Sequence, residues 1–215
     1  MAEFVGTALL LAAVVGSGIM AESLSTDVGL QLLQNAFATA AVLTALILTF
    51  ASASGAHFNP AVTLSERLLG QFDNLTTAAY IAAQTSGGIV GVVMANLMFD
   101  LPAVNWSTKD RSAGHLIFAE AVATVGLLVV IHGVVRSGRE RFVAFAVGGY
   151  IAGAYYFTSS TSFANPAVTV ARMFSDTFAG IAPASAPAFI GAQILAVFVA
   201  LAIVRVTYPP DQDQS

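Results

Sequence analysis

Two short strings hold the most distinctive polar chemistry of this chain. Asn59-Pro60-Ala61-Val62-Thr63 recurs as Asn165-Pro166-Ala167-Val168-Thr169, each inside a long uncharged run. Proline is tolerated in the first turn of a helix, so each string reads as a break followed by a short helix that starts at the proline. The asparagine before it can turn amide N–H groups into a passage, and a passing molecule must then offer an oxygen. Asparagine is also a common helix cap, but two identical copies at repeat-related positions favour a shared polar task. Glu3 and Glu120 are carboxylates in otherwise apolar runs, and ionisable groups at such depth are functional or paired by default. Cysteine is absent, which removes disulfides, thiolate metal ligands and thiol nucleophiles together. No catalytic group, metal site or cofactor is expected.

The composition sets these residues in lipid. Of the 215 residues 9% are charged and 57% hydrophobic, and the mean hydropathy is +0.80. A soluble domain carries roughly 25% charged residues, so a water-facing coat is not available and a soluble enzyme is excluded. The net charge of −4 and the scattered basic residues give no patch for nucleic acid.

Spans follow from where charge is missing. At about 20 residues per crossing, the run between Glu3 and Glu22 is just long enough and reads as a retained span rather than a cleaved leader. A second span runs from Val28 to about Phe50, followed by a Ser/Gly break and a half-helix from Pro60. Leu75 to Phe99 and Ser112 to Val135 are the third and fourth. Phe142 to about Phe157, a Ser/Thr break and a half-helix from Pro166 repeat the second pattern, and Thr177 to Val204 closes the set. The expectation is one all-α transmembrane domain over 1–215, with six spans and two half-spans in two repeats, about 1–100 and about 111–207. Arg67, Arg136, Arg139, Arg141 and Arg205 against Lys109, Arg111 and Arg172 place both termini in the cytoplasm.

Three spans per repeat is an odd number, so the second repeat is inserted upside down relative to the first. Glu3 then pairs with Glu120, and Ala83-Gln84 with Ala192-Gln193. The two half-helices enter from opposite faces and meet near the midplane, each amino terminus contributing about half a positive charge that repels cations. Irregular backbone survives at that depth only where it lines a polar cavity or is buried in protein. Gly87 with Gly91 and Gly149 with Gly153 have the small-xxx-small spacing of close helix packing.

On these residues, from Glu3 to Val206, the chain resembles the aquaporin and aquaglyceroporin channels, with two Asn-Pro-Ala boxes as the specific signal. The resemblance implies a right-handed bundle of six helices and two half-helices, assembled as a homotetramer with one pore per subunit. It implies a ladder of backbone carbonyls from Gly55, Ala56 and His57 on one side and Ser162, Phe163 and Ala164 on the other. Glu3 and Glu120, helped by Gln84 and Gln193, would hold the N–H groups of the two loops. Counting from the boxes as in the family puts the narrowest level at Thr39, Gly153, Ser162 and Val168, where Val168 replaces the family's arginine. With no ring and no cation there, the pore would be wider than a strict water channel.

That combination is similar to the bacterial aquaglyceroporin branch associated with arsenic-resistance operons. It implies the bacterial inner membrane, and water, glycerol, urea, arsenous acid and antimonous acid as solutes. Other readings are an ordinary water and glycerol channel without an arsenic role, a secondary transporter, and a junctional scaffold. Arg172, four residues after Val168, would either snorkel to the outer interface or guard the outer mouth.

Overall fold

The computed structural model describes residues 1–209, so 210–215 of the expected 1–215 domain lie outside the described residues. All regular structure among the described residues is helical. The first repeat comprises α1 (Ala2–Leu24), α2 (Val28–Ser54), the half-helix α3 (Pro60–Leu68) and α4 (Asn74–Met98). The second comprises α5 (Gly114–Arg136), α6 (Val143–Phe157), the half-helix α7 (Pro166–Ala171) and α8 (Ala186–Thr207). α1 packs on α2 and α4, α5 packs on α6 and α8, and the repeats join through α2 with α6 and through the half-helices.

Five of these helices are at least 18 residues long and apolar enough to cross a membrane. The sixth, α6, has 15 residues, about 22 Å of rise, and a 3-10 turn at Glu140–Phe142 lengthens it. Burial is distributed as lipid demands. The perimeter exposes Phe37 (73%), Phe118 (70%) and Leu195 (67%), while Glu3, Gln84, Glu120 and Gln193 are sealed inside.

Helix starts and stops are set locally. Asp27 caps α2 by accepting from Leu30 N at 3.0 Å, and Asp73 caps α4 by accepting from Thr76 N at 2.7 Å. That donated N–H holds the Asp73 carboxyl below its ordinary pKa. α2 does not stop near Phe50. Alanine and serine carry the helix one turn further, to Ser54, until Gly55 takes a left-handed φ of 80°. The last span likewise starts at Ala186 rather than Thr177. The intervening 177–185 form a loop tied to the segment before α5, with Ala182 N donating to Lys109 O at 2.8 Å.

Only one of the two glycine pairs does the expected packing. A Cβ at Gly87 would overlap the Phe4 carbonyl oxygen and one at Gly91 the Ala8 carbonyl oxygen, so these residues let α1 and α4 touch backbone to backbone. Gly149 and Gly153 meet nothing within 4 Å. On α6 it is Gly148 that admits α2, because a Cβ there would collide with Thr44.

Candidate functional site

Each repeat holds its re-entrant loop with one buried carboxylate. Glu3 Oε1 accepts from His57 N (3.0 Å) and Ser54 Oγ (2.6 Å), and Oε2 from Phe58 N (2.7 Å) and Gln84 Nε2 (2.7 Å). Glu120 repeats the pattern, with Oε1 accepting from Phe163 N (2.8 Å) and Oε2 from Ala164 N (2.8 Å) and Gln193 Nε2 (2.7 Å). Each glutamine amide also donates at 2.9 Å to the threonine that ends its box, Thr63 or Thr169. Hydrogen bonds to a charged group contribute about 1.5–3 kcal/mol each, so several of them offset the cost of a carboxylate at membrane depth. Both carboxylates thus brace backbone and have no oxygen left unpartnered. The two threonines were missed as scaffold members, although their place in the repeated string marks them.

The loops so held are contorted. Ala56 and Phe58 have φ of 51° and 49°, and Ser162 and Ala164 have 52° and 47°, left-handed values that cost L-residues energy and persist only where the surroundings fix them. His57 and Phe163, each flanked by left-handed residues, and the residue after each present consecutive N–H groups to the carboxylate. Gly55, Ala56 and His57 line the central cavity, as do Ser162 and Phe163. Ala164 does not. Its carbonyl accepts from Asn59 Nδ2 at 2.8 Å, and Phe58 O accepts from Asn165 Nδ2 at 2.8 Å, so the last carbonyl of each loop braces the opposite loop. Of the six residues expected in the ladder, Ala164 alone is not part of the cavity lining.

The asparagines stand where the half-helices meet. Asn59 Oδ1 accepts from Ala61 N (2.9 Å), and Asn165 Oδ1 from Ala167 N (2.9 Å) and Val168 N (3.2 Å), so both side-chain oxygens cap helices. Each Nδ2 spends one N–H on the opposite loop. A primary amide has two, and the second is left at the cavity wall, which both asparagines line. Pro60, Ala61, Pro166 and Ala167 are buried and set the helix starts.

The cavity has a volume of about 360 Å³ and runs the length of the bundle, from Glu66, Glu140 and Arg141 at one end to Tyr155 and Arg172 at the other. Opposite the polar loops its wall is apolar, built from stripes spaced by four: Leu10 and Val14 on α1, Leu43 and Ile47 on α2, Leu127 and Ile131 on α5. Near the Glu66 end, His57 stacks on Phe72 at 5.2 Å, and His132 Nε2 lies 2.9 Å from Ser65 Oγ.

At the other end the expected constriction is only partly assembled. Thr39, Ser162 and Val168 line the cavity; Gly153 does not and is exposed on the outside of α6. The lumenal stripe of α6 is Val143, Val147, Ile151 and Tyr155, and a residue two places from a stripe is turned away by about 200°. An aromatic ring is therefore present after all. Tyr155 is 4% exposed, and its hydroxyl lies 3.1 Å from Thr39 Oγ1. A cation is present too. Arg172, 3% exposed and lining the cavity, does not snorkel. Its Nε donates to Ala179 O and its guanidinium sits 3.4 Å from the Phe163 ring centroid. Arg111 lies 5.0 Å from the same ring, with Nε donating to Gly180 O at 3.0 Å. Spacing from the box alone does not reach Tyr155; its four-residue spacing from Ile151, Val147 and Val143 is the sequence signal for it.

With this geometry in hand, known proteins are informative. The family model described as Major intrinsic protein matches residues 1–142. The chain is 48% identical over 205 residues to the aquaglyceroporin AqpS of Rhizobium meliloti, covering 95% of this chain and 88% of that protein. It is 28% identical over 158 residues to a probable glycerol uptake facilitator protein of Thermotoga maritima, covering 66% of this chain and 64% of that one. Among solved structures, the aquaglyceroporin from Plasmodium falciparum superposes with a TM-score of 0.76 over 97% of this chain and 95% of that one; at 21% identity the likeness is one of fold.

Proposed function

Because the chain belongs to the major intrinsic protein family, whose aquaglyceroporins are channels and not enzymes, we propose that it is a passive membrane pore for small uncharged polar solutes. The solutes are water, glycerol, urea, and the arsenous and antimonous acids. The observation that carries this reading is the pairing of Asn59 and Asn165, each fixed through one N–H to the opposite loop and free to donate the other into the lumen. A solute passes by offering oxygen there and hydroxyl hydrogens to the carbonyls of residues 55–57 and 162–163, while the apolar stripes hold its carbon face. A water held as acceptor at both amides is poorly placed to relay a proton, and the facing helix amino termini add a barrier to cations.

Val168 supports the wider solute range, since valine fills less of the lumen than arginine and has no donors. The reading includes a homotetramer with one pore per subunit in a bacterial inner membrane, both termini cytoplasmic. An ordinary water and glycerol channel is the alternative, and one reconstituted preparation separates the two. Glycerol and arsenous acid uptake are measured side by side in proteoliposomes. Comparable uptake of both supports the proposal; glycerol uptake with no arsenous acid entry above empty liposomes leaves the alternative.

A further inference from the structure

We infer that the constriction of this pore has moved outward along the axis and is built from Tyr155, Thr39 and Arg172, leaving a wider chamber at the level of Val168. The inference rests on the channel reading above. Two departures from the expected positions carry it. On α6 the lumenal residue is Tyr155, two places after Gly153, about 3 Å further along the axis. On the other wall the cation is Arg172, four places after Val168, about 6 Å further from the asparagines along the direction set by α7. α6 and α7 both run toward that end of the cavity, so the two displacements have the same direction and can meet at one level.

The chemistry of that level is specific. Among the described residues, Arg172 uses Nε on Ala179 O and its two terminal nitrogens have no protein acceptor, so their N–H groups are available to the lumen. Phe163 beneath the guanidinium and the loop held by Arg111 keep it from swinging away. In the Tyr155–Thr39 pair one hydroxyl donates to the other, whichever way round, and one O–H therefore remains for a solute. A solute crossing here gives an oxygen lone pair to Arg172 and exchanges a further hydrogen bond with the Tyr155–Thr39 pair. That favours uncharged molecules able to accept from one side and to donate or accept on the other, and the ring of Tyr155 sets their girth. Tyr155 and Arg172 are thus specificity-determining residues, and Gly153 is not.

The test compares erythritol, a four-carbon polyol, with glycerol and water in proteoliposomes by stopped-flow light scattering. Tyr155→Ala is expected to raise the erythritol-to-glycerol flux ratio on the order of tenfold, the discrimination that a change in pocket wall is worth, with water flux retained. Tyr155→Phe, which keeps the ring and fits the same space, is expected to keep the size limit and lower glycerol flux relative to water. Gly153→Leu is expected to change neither ratio, and Arg172→Ala to raise the erythritol-to-glycerol ratio as Tyr155→Ala does. An erythritol ratio unmoved by Tyr155→Ala or by Arg172→Ala, or a ratio shifted by Gly153→Leu, would overturn the displaced constriction. Each of these results is read against a parent that conducts water and glycerol. A parent that conducts neither would instead contradict the channel reading itself.

Discussion

Val168 shows how much one residue can decide. It lines the lumen just past the asparagine pair, where a guanidinium would bring five N–H donors and a fixed charge. Val168→Arg is therefore expected to reduce glycerol and arsenous acid flux far more than water flux, measured in the same vesicles. Equal reductions would mean that an arginine at this level does not narrow the lumen for solutes larger than water. The residues that build the centre were legible because their types are out of place: Glu3 and Glu120 are charges in apolar runs, and Asn-Pro-Ala is a repeated helix start. Tyr155 and Arg172 were harder to read. A tyrosine in an apolar helix is unremarkable by type, and only its spacing from Val147 and Ile151 assigns its face. An arginine one turn from a membrane surface has two plausible destinations, and what settles Arg172 is a loop carbonyl at Ala179 and a ring at Phe163, both tertiary contacts.

Among the elements, the half-helices were visible because proline fixes where each begins, and the structure starts α3 and α7 at Pro60 and Pro166. The end of α2 and the start of α8 were misplaced for a common reason. Apolarity marks residence in lipid or protein, not helical backbone, so Ser54 could remain helical and residues 177–185 could leave the helix without a change of composition. Glycine spacing misled in a similar way, since the small-xxx-small pattern occurs on α4 and α6 but only on α4 does a neighbour's backbone fill the notch. This difference is testable. Gly91→Leu is expected to separate α1 from α4, displace Glu3 from the loop it braces, and abolish both folding yield and flux. Gly149→Ala, with open space around it, is expected to leave thermal stability in detergent and flux unchanged. A stable, conducting Gly91→Leu protein would contradict the backbone contact.

As a whole the molecule is a two-repeat assembly in which the second repeat reuses the first upside down. The same carboxylate, glutamine, threonine and asparagine network appears twice, and each repeat's loop is completed by an amide from the other. Neither half-helix can be placed without its counterpart, which ties the integrity of the lumen to the whole chain. Inverted repeats with broken helices also describe secondary transporters, but those need titratable groups free to bind the coupling ion. Here both carboxylates at membrane depth are fully engaged in holding backbone. On the function proposed above, solutes move down their own gradient through a standing passage. This is tested most directly by glycerol flux into proteoliposomes with proton and sodium gradients imposed, reversed and collapsed, with membrane current recorded. Glycerol entry that is the same in all conditions and carries no current is the expected result; glycerol entry that requires an ion gradient and saturates at low concentration would rule out a passive pore.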